Sequence, residues 1–518
     1  SLFLAKDFLE QDDSLLFESD LVFDDSLLKR VCDKKEKNVV VVSPYQSWMD
    51  GTVVTLRDDR IIDNFVSGKQ LKLSEKNKYF KTVNIYKFSS KFSKNHYNPF
   101  IEAYIKSMGS DEYYEDVLKV ISFLNKIKMK ALITKPEERW YEIDDKHDLY
   151  NAEGIFSKSE DKLNNISKRF GGYWRFPKLI DFCYLVNPYY PTVGFKEQIK
   201  YSFDDLLINY PSGQKVNSLL ASKNFNVSED FIVVGNGAAE LIKAYAELFS
   251  GKKVGIMLPT FEDYTERFKN SKINTYTFND SFSYGYNEIE SIIDDIDLLL
   301  IVNPDNPSGN FIERADLIKI LSLAKLKNKE VLVDESFIDF AENKKRFSFL
   351  DNQILKEYKN LKVIKSISKS YGVPGIRLGV FASYDISTVH DVREKMSLWN
   401  INSYGEFFLQ NMDKYNSDYK IAKDKIVNSR NKMMKKLKSL NFIKPLPSEA
   451  NYILCEVEKP LDSSSLTVEL LNDYNILIKD CKHKLGFSNR SFVRLAVRND
   501  GDNNSLINAL KFIEAKLI

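Results

Sequence analysis

The sequence predicts an α/β protein whose longer part folds around a mostly parallel β-sheet. From residue 171 onward, short unbroken apolar runs alternate with helix-length segments, which is the pattern of parallel strands covered on both faces by helices. The runs are 231–234, 254–258, 298–302, 331–333 and 363–364. The chain has 518 residues, of which 43% are hydrophobic, enough for about three domains of roughly 100 to 200 residues each. A single small binding module is therefore excluded.

Charge and cysteine usage exclude several classes of function. The 75 Lys and Arg residues nearly balance the 73 Asp and Glu residues, so no net field would gather nucleic acid or an anionic membrane. The four cysteines show no paired spacing, which argues against a disulfide framework and against a zinc site. No apolar run reaches the length of a membrane span, and the first residues lack the pattern of a signal peptide. We therefore expect a cytoplasmic protein that binds neither nucleic acid nor membranes.

The chain is predicted to divide near residue 155. Residues 1–155 mix three strand-like runs with a helical pattern between residues 100 and 127, which indicates an α/β or α+β domain. Residues 156–170 are polar and charged, and we assign them to a linker or an exposed helix. The second part, 171–518, is expected to have a large domain at about 200–395 and a small α+β domain from 171–199 and 396–518.

Four of the predicted strands are followed by residues that can carry chemistry. Small residues open a helix at 235–239, where backbone N–H groups and the helix dipole favour a phosphate. The other three strands lead into 303–309, 334–337 and 366–369, and Arg377 follows eight residues after Lys369. Ligands of open parallel sheets bind at the carboxyl ends of the strands. These segments are therefore expected to meet at one site.

The order of these segments resembles a known family. Taken singly, each also fits an ordinary turn, a solvated acid or a surface lysine. Together they resemble the class I/II aminotransferases, pyridoxal-phosphate enzymes of fold type I, over residues 171–518. The resemblance implies that Lys369 forms a Schiff base with the cofactor, for which its pKa must be lowered. It also implies that Asp334 keeps the pyridine nitrogen protonated, so that the ring can act as an electron sink.

Further residues take their roles from the same resemblance. Asn306 matches the residue that hydrogen-bonds the ring 3-oxygen, and Phe261 matches the aromatic that stacks on the ring. Tyr210 matches a tyrosine that reaches the cofactor phosphate of the neighbouring subunit, which implies a homodimer with shared sites. A tyrosine that packs within its own subunit is the alternative. The expected phosphate ligands are Gly237, Ala238, Ala239, Ser366, Ser368 and Arg377.

The candidate substrate ligands are Arg494, Lys479 and Asn451. Arg494 matches the arginine that binds the substrate α-carboxylate, and Arg498 is a second cation nearby. Lys479 lies where the histidinol-phosphate branch places a cation for the substrate phosphate, although an exposed lysine would look the same. The expected substrate is therefore a phosphorylated or phosphonylated amino compound.

Two branches of the family are close by motif, the histidinol-phosphate aminotransferases and the threonine-phosphate decarboxylases. Phe337 stands where the aminotransferase branch has tyrosine, and residues 398–402 look more like the Trp-x-x-Asn stretch of the decarboxylase branch. The two reactions differ in which bond of the substrate α-carbon is held perpendicular to the ring. Transamination is our first hypothesis. Decarboxylation of phosphoserine or threonine phosphate, coupled to cytidylyl activation of the product, is the alternative.

The first part carries a second resemblance. Residues 15–23, 48–54 and 140–144 resemble the later part of sugar-nucleotide and phosphocholine-type nucleotidyltransferases. This implies that Asp20 and Asp144 hold Mg²⁺, which prefers hard oxygen ligands; two surface acids are the alternative. The Gly-rich nucleotide-binding part of such enzymes is expected before residue 1, so CTP binding is expected only where that part is present. The fusion implies that one part makes or consumes an aminophosphate or aminophosphonate and the other activates it.

Overall fold

The computed structural model describes residues 2–109, 114–124, 128–176, 178–488 and 490–517. The chain divides into two compact units, Ser1–Phe176 and Pro177–Ile518. Within the described part of the chain, no helix has both the length and the apolar character needed to span a bilayer.

The first unit is built on a mixed sheet of six strands. The strand order is β5-β4-β6-β3-β7, with β1 also paired to β6, and a separate antiparallel pair joins β2 to β8. Only β3 and β7 are parallel among the pairs of the described residues in this sheet. The strands are β1 (Ser14–Phe17), β2 (Leu21–Phe23), β3 (Val39–Pro44), β4 (Val53–Leu56), β5 (Ile62–Val66), β6 (Tyr79–Phe88), β7 (Lys130–Ile133) and β8 (Trp140–Glu142).

Helices cover both faces of this sheet because its interior strand β3 is apolar on both. Val40 and Val42 pack into one core, and Val39 and Val41 pack into another. The helices are α1 (Lys6–Gln11), α2 (Asp25–Cys32), α3 (Ser90–Phe92), α4 (Asn98–Met108), α5 (Tyr114–Phe123), α6 (Lys146–Phe156) and α7 (Ser159–Ser167). Helices α4 and α5 lie in the predicted helical stretch 100–127, of which residues 110–113 and 125–127 are outside the described residues.

The first unit continues beyond the boundary that the sequence suggested. The segment 156–170 contains the helix α7, so the helix alternative is the one the structure has. Its residue Ile166 is 1% exposed, and Tyr150 of α6 donates a hydrogen bond to the Asn165 carbonyl at 3.1 Å. The buried face of α7 packs against α6, so this helix is part of the first unit. The division of the chain falls after Phe176.

The second unit contains a seven-stranded sheet and a smaller four-stranded sheet. The strands are β9 (Ile180–Asp181), β10 (Ile232–Gly235), β11 (Lys253–Met257), β12 (Lys272–Tyr276), β13 (Leu298–Val302), β14 (Glu330–Asp334), β15 (Leu361–Ser366), β16 (Gly379–Ala382), β17 (Ile443–Pro445), β18 (Tyr452–Val457), β19 (Ile476–Leu477), β20 (Lys479–Asp480) and β21 (Phe492–Ala496). The large sheet has the order β10-β16-β15-β14-β13-β11-β12, and the small sheet has the order β17-β18-β21-β20.

Helices pack on both sides of the large sheet and behind the small one. They are α8 (Val193–Tyr201), α9 (Phe203–Ile208), α10 (Gln214–Phe225), α11 (Ala238–Ala246), α12 (Glu262–Arg267), α13 (Tyr286–Glu290), α14 (Arg314–Leu326), α15 (Asn352–Glu357), α16 (Ile367–Ser370), α17 (Ile386–Glu394), α18 (Ser403–Asn411), α19 (Asn416–Leu437), α20 (Ser463–Tyr474) and α21 (Asp500–Leu517). Short 3₁₀ and π turns join several of these elements.

The mostly parallel large sheet is confirmed. The five predicted apolar runs are β10, β11, β13, β14 and β15. In β13, Leu299 and Ile301 pack into one core while Leu298, Leu300 and Val302 pack into another, so both faces are buried. The strand β16 is antiparallel to both of its neighbours. This topology brings the carboxyl ends of β11, β13, β14 and β15 to one edge of the sheet.

Candidate cofactor and substrate site

A buried carboxylate stands at the end of β14. Asp334 is 3% exposed. Its Oδ2 accepts a hydrogen bond from the Tyr264 hydroxyl at 2.7 Å, and its Oδ1 accepts one from the Ser336 N–H at 2.9 Å. Both donors are neutral, and a buried carboxylate costs free energy unless a cation balances it. A protonated pyridine nitrogen would supply that positive charge, so Asp334 fits its predicted role.

The amine of Lys369 lies between two aromatic rings. Its Nζ is 4.2 Å from the ring centroid of Phe337 and 5.3 Å from that of Phe261. Burial lowers the pKa of Lys369 to about 8; Asp334 opposes this shift, and the guanidinium groups of Arg494 and Arg377 add to it. A lysine with such a pKa is half uncharged at about pH 8, and the uncharged amine is the state that attacks an aldehyde.

This pKa predicts how cofactor capture depends on pH. The rate at which cofactor-free protein captures pyridoxal phosphate should rise with pH up to about 8 and then level off, because only the uncharged Lys369 amine reacts. An absorbance time course at a series of pH values measures it. A rate that keeps rising towards pH 10, where an ordinary lysine titrates, would contradict the prediction.

The start of α11 and Arg377 form a cradle whose donors and charge suit a phosphate. Gly237 immediately precedes α11 and has φ +78°, and a Cβ at this position would collide with Arg377 Nη2. The guanidinium therefore lies against the bare backbone at the helix start. The N–H groups of Ala238 and Ala239 open the same helix, so backbone donors and a cation meet where an anion is favoured.

The two predicted serine ligands help to build this cradle. The Ser368 hydroxyl donates to the Leu378 carbonyl at 3.3 Å and accepts from the Leu378 N–H at 3.0 Å. It thereby fastens the start of α16 to the residue that follows Arg377. The Ser366 N–H donates to the Ser336 hydroxyl at 2.9 Å. Their direct contacts with a phosphate remain predictions.

Asn306 and Arg494 meet although they are far apart in the sequence. Arg494 of β21 is 9% exposed; it donates from Nη1 to Asn306 Oδ1 and from Nη2 to the Cys183 carbonyl, both at 2.6 Å. Because Asn306 Oδ1 is occupied by a donor, its Nδ2 group is left to donate to the 3-oxygen of a bound ring. The Asp305 carboxylate fixes this turn by accepting the Asn306 N–H at 2.9 Å and the Thr260 hydroxyl at 2.6 Å.

Lys479 and a lysine that the sequence reasoning missed lie close to Arg494. Lys479 is paired with Arg494 across β20 and β21. Lys484 lies in the loop that follows β20, is 9% exposed, and donates to the Thr260 carbonyl at 2.8 Å. Burial raises the pKa of the Cys481 thiol, and Arg494, Lys484 and Lys479 all oppose that rise. All three cations therefore lie within electrostatic reach of the Cys481 thiol. The closeness of Lys484 to Lys479 in the sequence was the available signal.

Two predicted neighbours of this cluster have other surroundings. Arg498 donates from Nε to Asp502 Oδ2 and from Nη1 to the Asp181 carbonyl, each at 2.8 Å, so internal contacts hold its guanidinium. Asn451 is fully buried, and neither polar atom of its side chain has a hydrogen-bond partner among the described residues. Its role as a substrate ligand remains a prediction.

The phenylalanine that replaces the aminotransferase tyrosine is part of the core of the site. Phe337 is 1% exposed, and its ring meets the Tyr452 ring edge-on at 5.1 Å. The Tyr452 hydroxyl donates to the Asp305 carbonyl. The surface of Phe337 towards the Lys369 amine is therefore apolar.

Tyr210 lies on an exposed apolar surface. It is 80% exposed, and its ring is 4.5 Å from the ring of Trp399. Asn402, the last residue of the Trp-x-x-Asn stretch, accepts the Gly405 N–H at 2.9 Å and begins α18. Other large exposed apolar residues nearby in the sequence are Tyr201, Phe203, Leu207 and Ile208. Such a surface is typical of an interface between subunits.

Acidic residues gather in the first unit. Burial raises the pKa of Asp144, and Asp148 and Asp20 raise it further. Asp20 Oδ1 is buried without a hydrogen-bond partner among the described residues. Among the residues that the structure describes, three side chains within metal-ligating reach of one another are Asp145, His147 and Asp148, at the start of α6, and they include neither predicted ligand. Asp20 and Asp144 as Mg²⁺ ligands remain a prediction.

Comparisons with known proteins agree with this geometry. Residues 207–513 match the family described as aminotransferase class I and II. A CMP-5'-(3-aminopropyl)phosphonate synthase from Streptomyces rubellomurinus is 28% identical over 98% of this chain and 80% of its own length. An L-serine phosphate decarboxylase from Campylobacter jejuni is 30% identical over 64% of this chain and 87% of its own length.

Solved structures share the architecture of the second unit. A histidinol-phosphate aminotransferase from Clostridium acetobutylicum has a TM-score of 0.59 at 29% identity and covers 65% of this chain and 100% of its own. A decarboxylase from Sulfurospirillum multivorans has a TM-score of 0.62 at 26% identity and covers 71% of this chain and 96% of its own. The predicted fold type I architecture is confirmed.

Proposed function

The chain belongs to the aminotransferase class I and II family, and we propose that its second unit is a pyridoxal-phosphate-dependent decarboxylase of an amino acid that carries a phosphate or phosphonate. The observations that carry the proposed substrate class are the pairing of Lys479 with Arg494 across β20 and β21 and the burial of Lys484 in the loop that follows. One cation suffices for an α-carboxylate. A second anionic group on the substrate accounts for the others.

The residues of the site divide the work of this reaction. Pyridoxal phosphate, when bound, supplies an electron sink for the substrate α-carbon. Asp334 would hold its ring nitrogen, Asn306 its 3-oxygen, and Arg377 with the start of α11 its phosphate. The substrate carboxylate leaves as CO₂, and the electron pair left on the α-carbon takes up a proton. Lys369 Nζ, whose pKa is about 8, can hold and deliver that proton near neutral pH.

Two findings favour decarboxylation over our first hypothesis from the sequence. The relative aligned with 98% of this chain is named for an aminopropylphosphonate, an amine without an α-carboxylate. A second relative is named as a decarboxylase of serine phosphate. Phe337 is consistent with this, since the aminotransferase branch carries a hydroxyl at that position. Transamination stays the second candidate, supported by the likeness to the 29% identical histidinol-phosphate aminotransferase structure.

One assay separates the two candidates. The holoenzyme is incubated with phosphoserine, with threonine phosphate and with 2-amino-4-phosphonobutanoate, the amino acid whose decarboxylation gives 3-aminopropylphosphonate. Each incubation is run with and without 2-oxoglutarate. We expect CO₂ in both conditions and no glutamate. Glutamate formed only with 2-oxoglutarate, without CO₂, would establish transamination instead.

We propose for the first unit the transfer of a cytidylyl group to the amino product. The relative named CMP-5'-(3-aminopropyl)phosphonate synthase supports this proposal. Its alignment covers 98% of this chain and therefore includes the first unit. The reaction joins the phosphate or phosphonate oxygen to the α-phosphorus of CTP and releases pyrophosphate. Full-length protein is given CTP, Mg²⁺ and 3-aminopropylphosphonate, and pyrophosphate is measured. If full-length protein releases no pyrophosphate, this part of the proposal is refuted. Loss of pyrophosphate release in Asp20→Asn or Asp144→Asn would support these residues as Mg²⁺ ligands.

We propose further that the second unit forms a homodimer in which Tyr210 completes the partner's cofactor site. Tyr210→Phe removes one hydroxyl, so we expect cofactor affinity to fall by about 2- to 12-fold, the equivalent of about 0.5–1.5 kcal/mol. Equilibrium titration with pyridoxal phosphate measures this. Tyr201→Phe is the matched control, because Tyr201 is also an exposed tyrosine, at 93%, and should leave the affinity unchanged.

Mixing two impaired variants tests whether the site is shared. Hybrids of Tyr210→Ala and Lys369→Ala subunits contain one site with both residues intact, so activity should recover when subunits exchange. Absence of recovery, with subunit exchange shown independently, would mean that Tyr210 acts within its own subunit.

A further inference from the structure

Lys484 is a buried cation whose carboxylate partner is exposed. The Lys484 side chain is 6% exposed, while that of Glu262 is 55% exposed, and their Nζ and Oε1 atoms are 3.2 Å apart. Water can solvate the exposed Glu262 carboxylate when it leaves, whereas the buried Lys484 ammonium needs another anion in its place.

The loop that carries Lys484 is held against the cofactor site. Gly486 has φ +96°, and a Cβ there would lie 2.8 Å from Leu258 Cβ and 2.9 Å from the Pro259 nitrogen, so only glycine fits. Lys484 donates to the Thr260 carbonyl at 2.8 Å. The next residue is Phe261, whose ring centroid is 5.3 Å from Lys369 Nζ. The Lys484 ammonium thus contacts the residue that precedes Phe261, and the Phe261 ring lies beside the reactive Lys369 amine.

The electrostatics place the same ammonium near the candidate carboxylate site. Burial lowers the pKa of Lys484, and the Glu262 carboxylate opposes this shift. The Arg494 guanidinium adds to the shift, so the positive charges of Lys484 and Arg494 repel each other. Lys484 also lowers the pKa of Asp305, which burial raises to about 7. Lys484 therefore contacts the residue before Phe261 and lies within electrostatic reach of Arg494.

We propose that Lys484 binds the distal phosphate or phosphonate of the substrate, and that the Glu262 carboxylate occupies this position until substrate arrives. This inference rests on the proposed function and assigns its specificity-determining residue. With the α-carboxylate on Arg494, a dianionic group displaces Glu262 from Lys484. An ammonium has three N–H donors, so Lys484 can keep the Thr260 carbonyl while its other donors turn to the phosphate.

The test compares ligands that differ only in the distal anion. Dissociation constants of the holoenzyme are measured by spectral titration for phosphoserine against serine, and for 2-amino-4-phosphonobutanoate against 2-aminobutanoate. We expect Lys484→Met to weaken the phosphorylated or phosphonylated ligand by about ten- to hundredfold, as for a lost charged hydrogen bond, and the partner ligand by less than about twofold. Lys484→Arg should retain most of the preference because it keeps the charge.

Two further variants, Glu262→Gln and Lys482→Met, are expected to tighten binding and to leave it unchanged, respectively. Glu262→Gln removes the competing carboxylate, so binding of phosphoserine should tighten by up to about fivefold, with serine unchanged. Lys482→Met is the matched control, since Lys482 lies in the same loop with its side chain 49% exposed, and it should leave both ligands unchanged.

The outcomes separate this inference from the proposed function. If the wild type prefers phosphorylated and phosphonylated ligands and Lys484→Met keeps that preference, the inference is overturned and the substrate class stands. If Lys484→Met weakens both members of each ligand pair equally, Lys484 only holds the Thr260 carbonyl. If the wild type itself shows no preference in either pair, the proposed substrate class fails and the inference fails with it.

Discussion

Lys369→Ala is expected to abolish turnover and covalent capture of pyridoxal phosphate while the protein stays folded. The lysine lies between the rings of Phe337 and Phe261, and burial lowers its pKa to about 8. This environment favours reactivity rather than packing. Turnover, visible absorbance and peptide mapping after borohydride reduction measure the effect. Lys369→Arg, which keeps the charge without a reactive amine, should be equally inactive.

The structure also identifies the lysine that would contradict this assignment. Lys365 lies four residues earlier and is 4% exposed. Its Nζ is 2.9 Å from Asp339 Oδ2 and 3.6 Å from Glu335 Oε1. Burial lowers the pKa of Lys365, but the two carboxylates outweigh it and raise the pKa, so this ammonium stays charged and unreactive. A borohydride label on Lys365 instead of Lys369 would overturn the assignment.

Asp334→Asn is expected to lower the rate by several orders of magnitude, because a neutral amide no longer keeps a ring nitrogen protonated. Steady-state turnover with saturating cofactor measures it. Tyr264→Phe is the matched control, since it removes a hydrogen bond of 2.7 Å to the same carboxylate but keeps the charge; we expect a loss of about tenfold. A near wild-type rate in Asp334→Asn would show that another group protonates the ring.

Thermal unfolding of cofactor-free Asp334→Asn shows whether its lost activity reflects the lost charge or damage to the fold. Both oxygens of the buried Asp334 carboxylate accept hydrogen bonds from neutral donors. An isosteric amide removes a desolvated charge but keeps only one acceptor, so one of these hydrogen bonds is lost. Because the two effects oppose each other, the melting temperature of cofactor-free Asp334→Asn should stay within a few degrees of that of the wild type. A large fall in stability would mean that the lost activity reflects damage to the fold.

Periodicity in the sequence was sufficient for the strands that are buried on both faces. Residues 298–302 form an unbroken apolar run, and they form β13, which contributes to cores on both sides. The strands β12 and β16 were not predicted. β12 lies at the edge of the sheet with half-exposed residues, and β16 has four residues and includes a glycine. β12 has too few apolar residues to give a signal, whereas the apolar run 380–382 in β16 was available and was overlooked.

The sequence by itself determined the mostly parallel sheet and the identity of the residues at its strand ends. This follows because alternation of apolar runs and helices is a local property, and parallel strands place their carboxyl ends at one edge. Only the tertiary structure decided that Arg494 contacts Asn306, that Lys484 is buried beside the Phe261 turn, and that Tyr210 is exposed. Burial and charge at each of these positions come from segments distant in the sequence, so no local pattern encodes them.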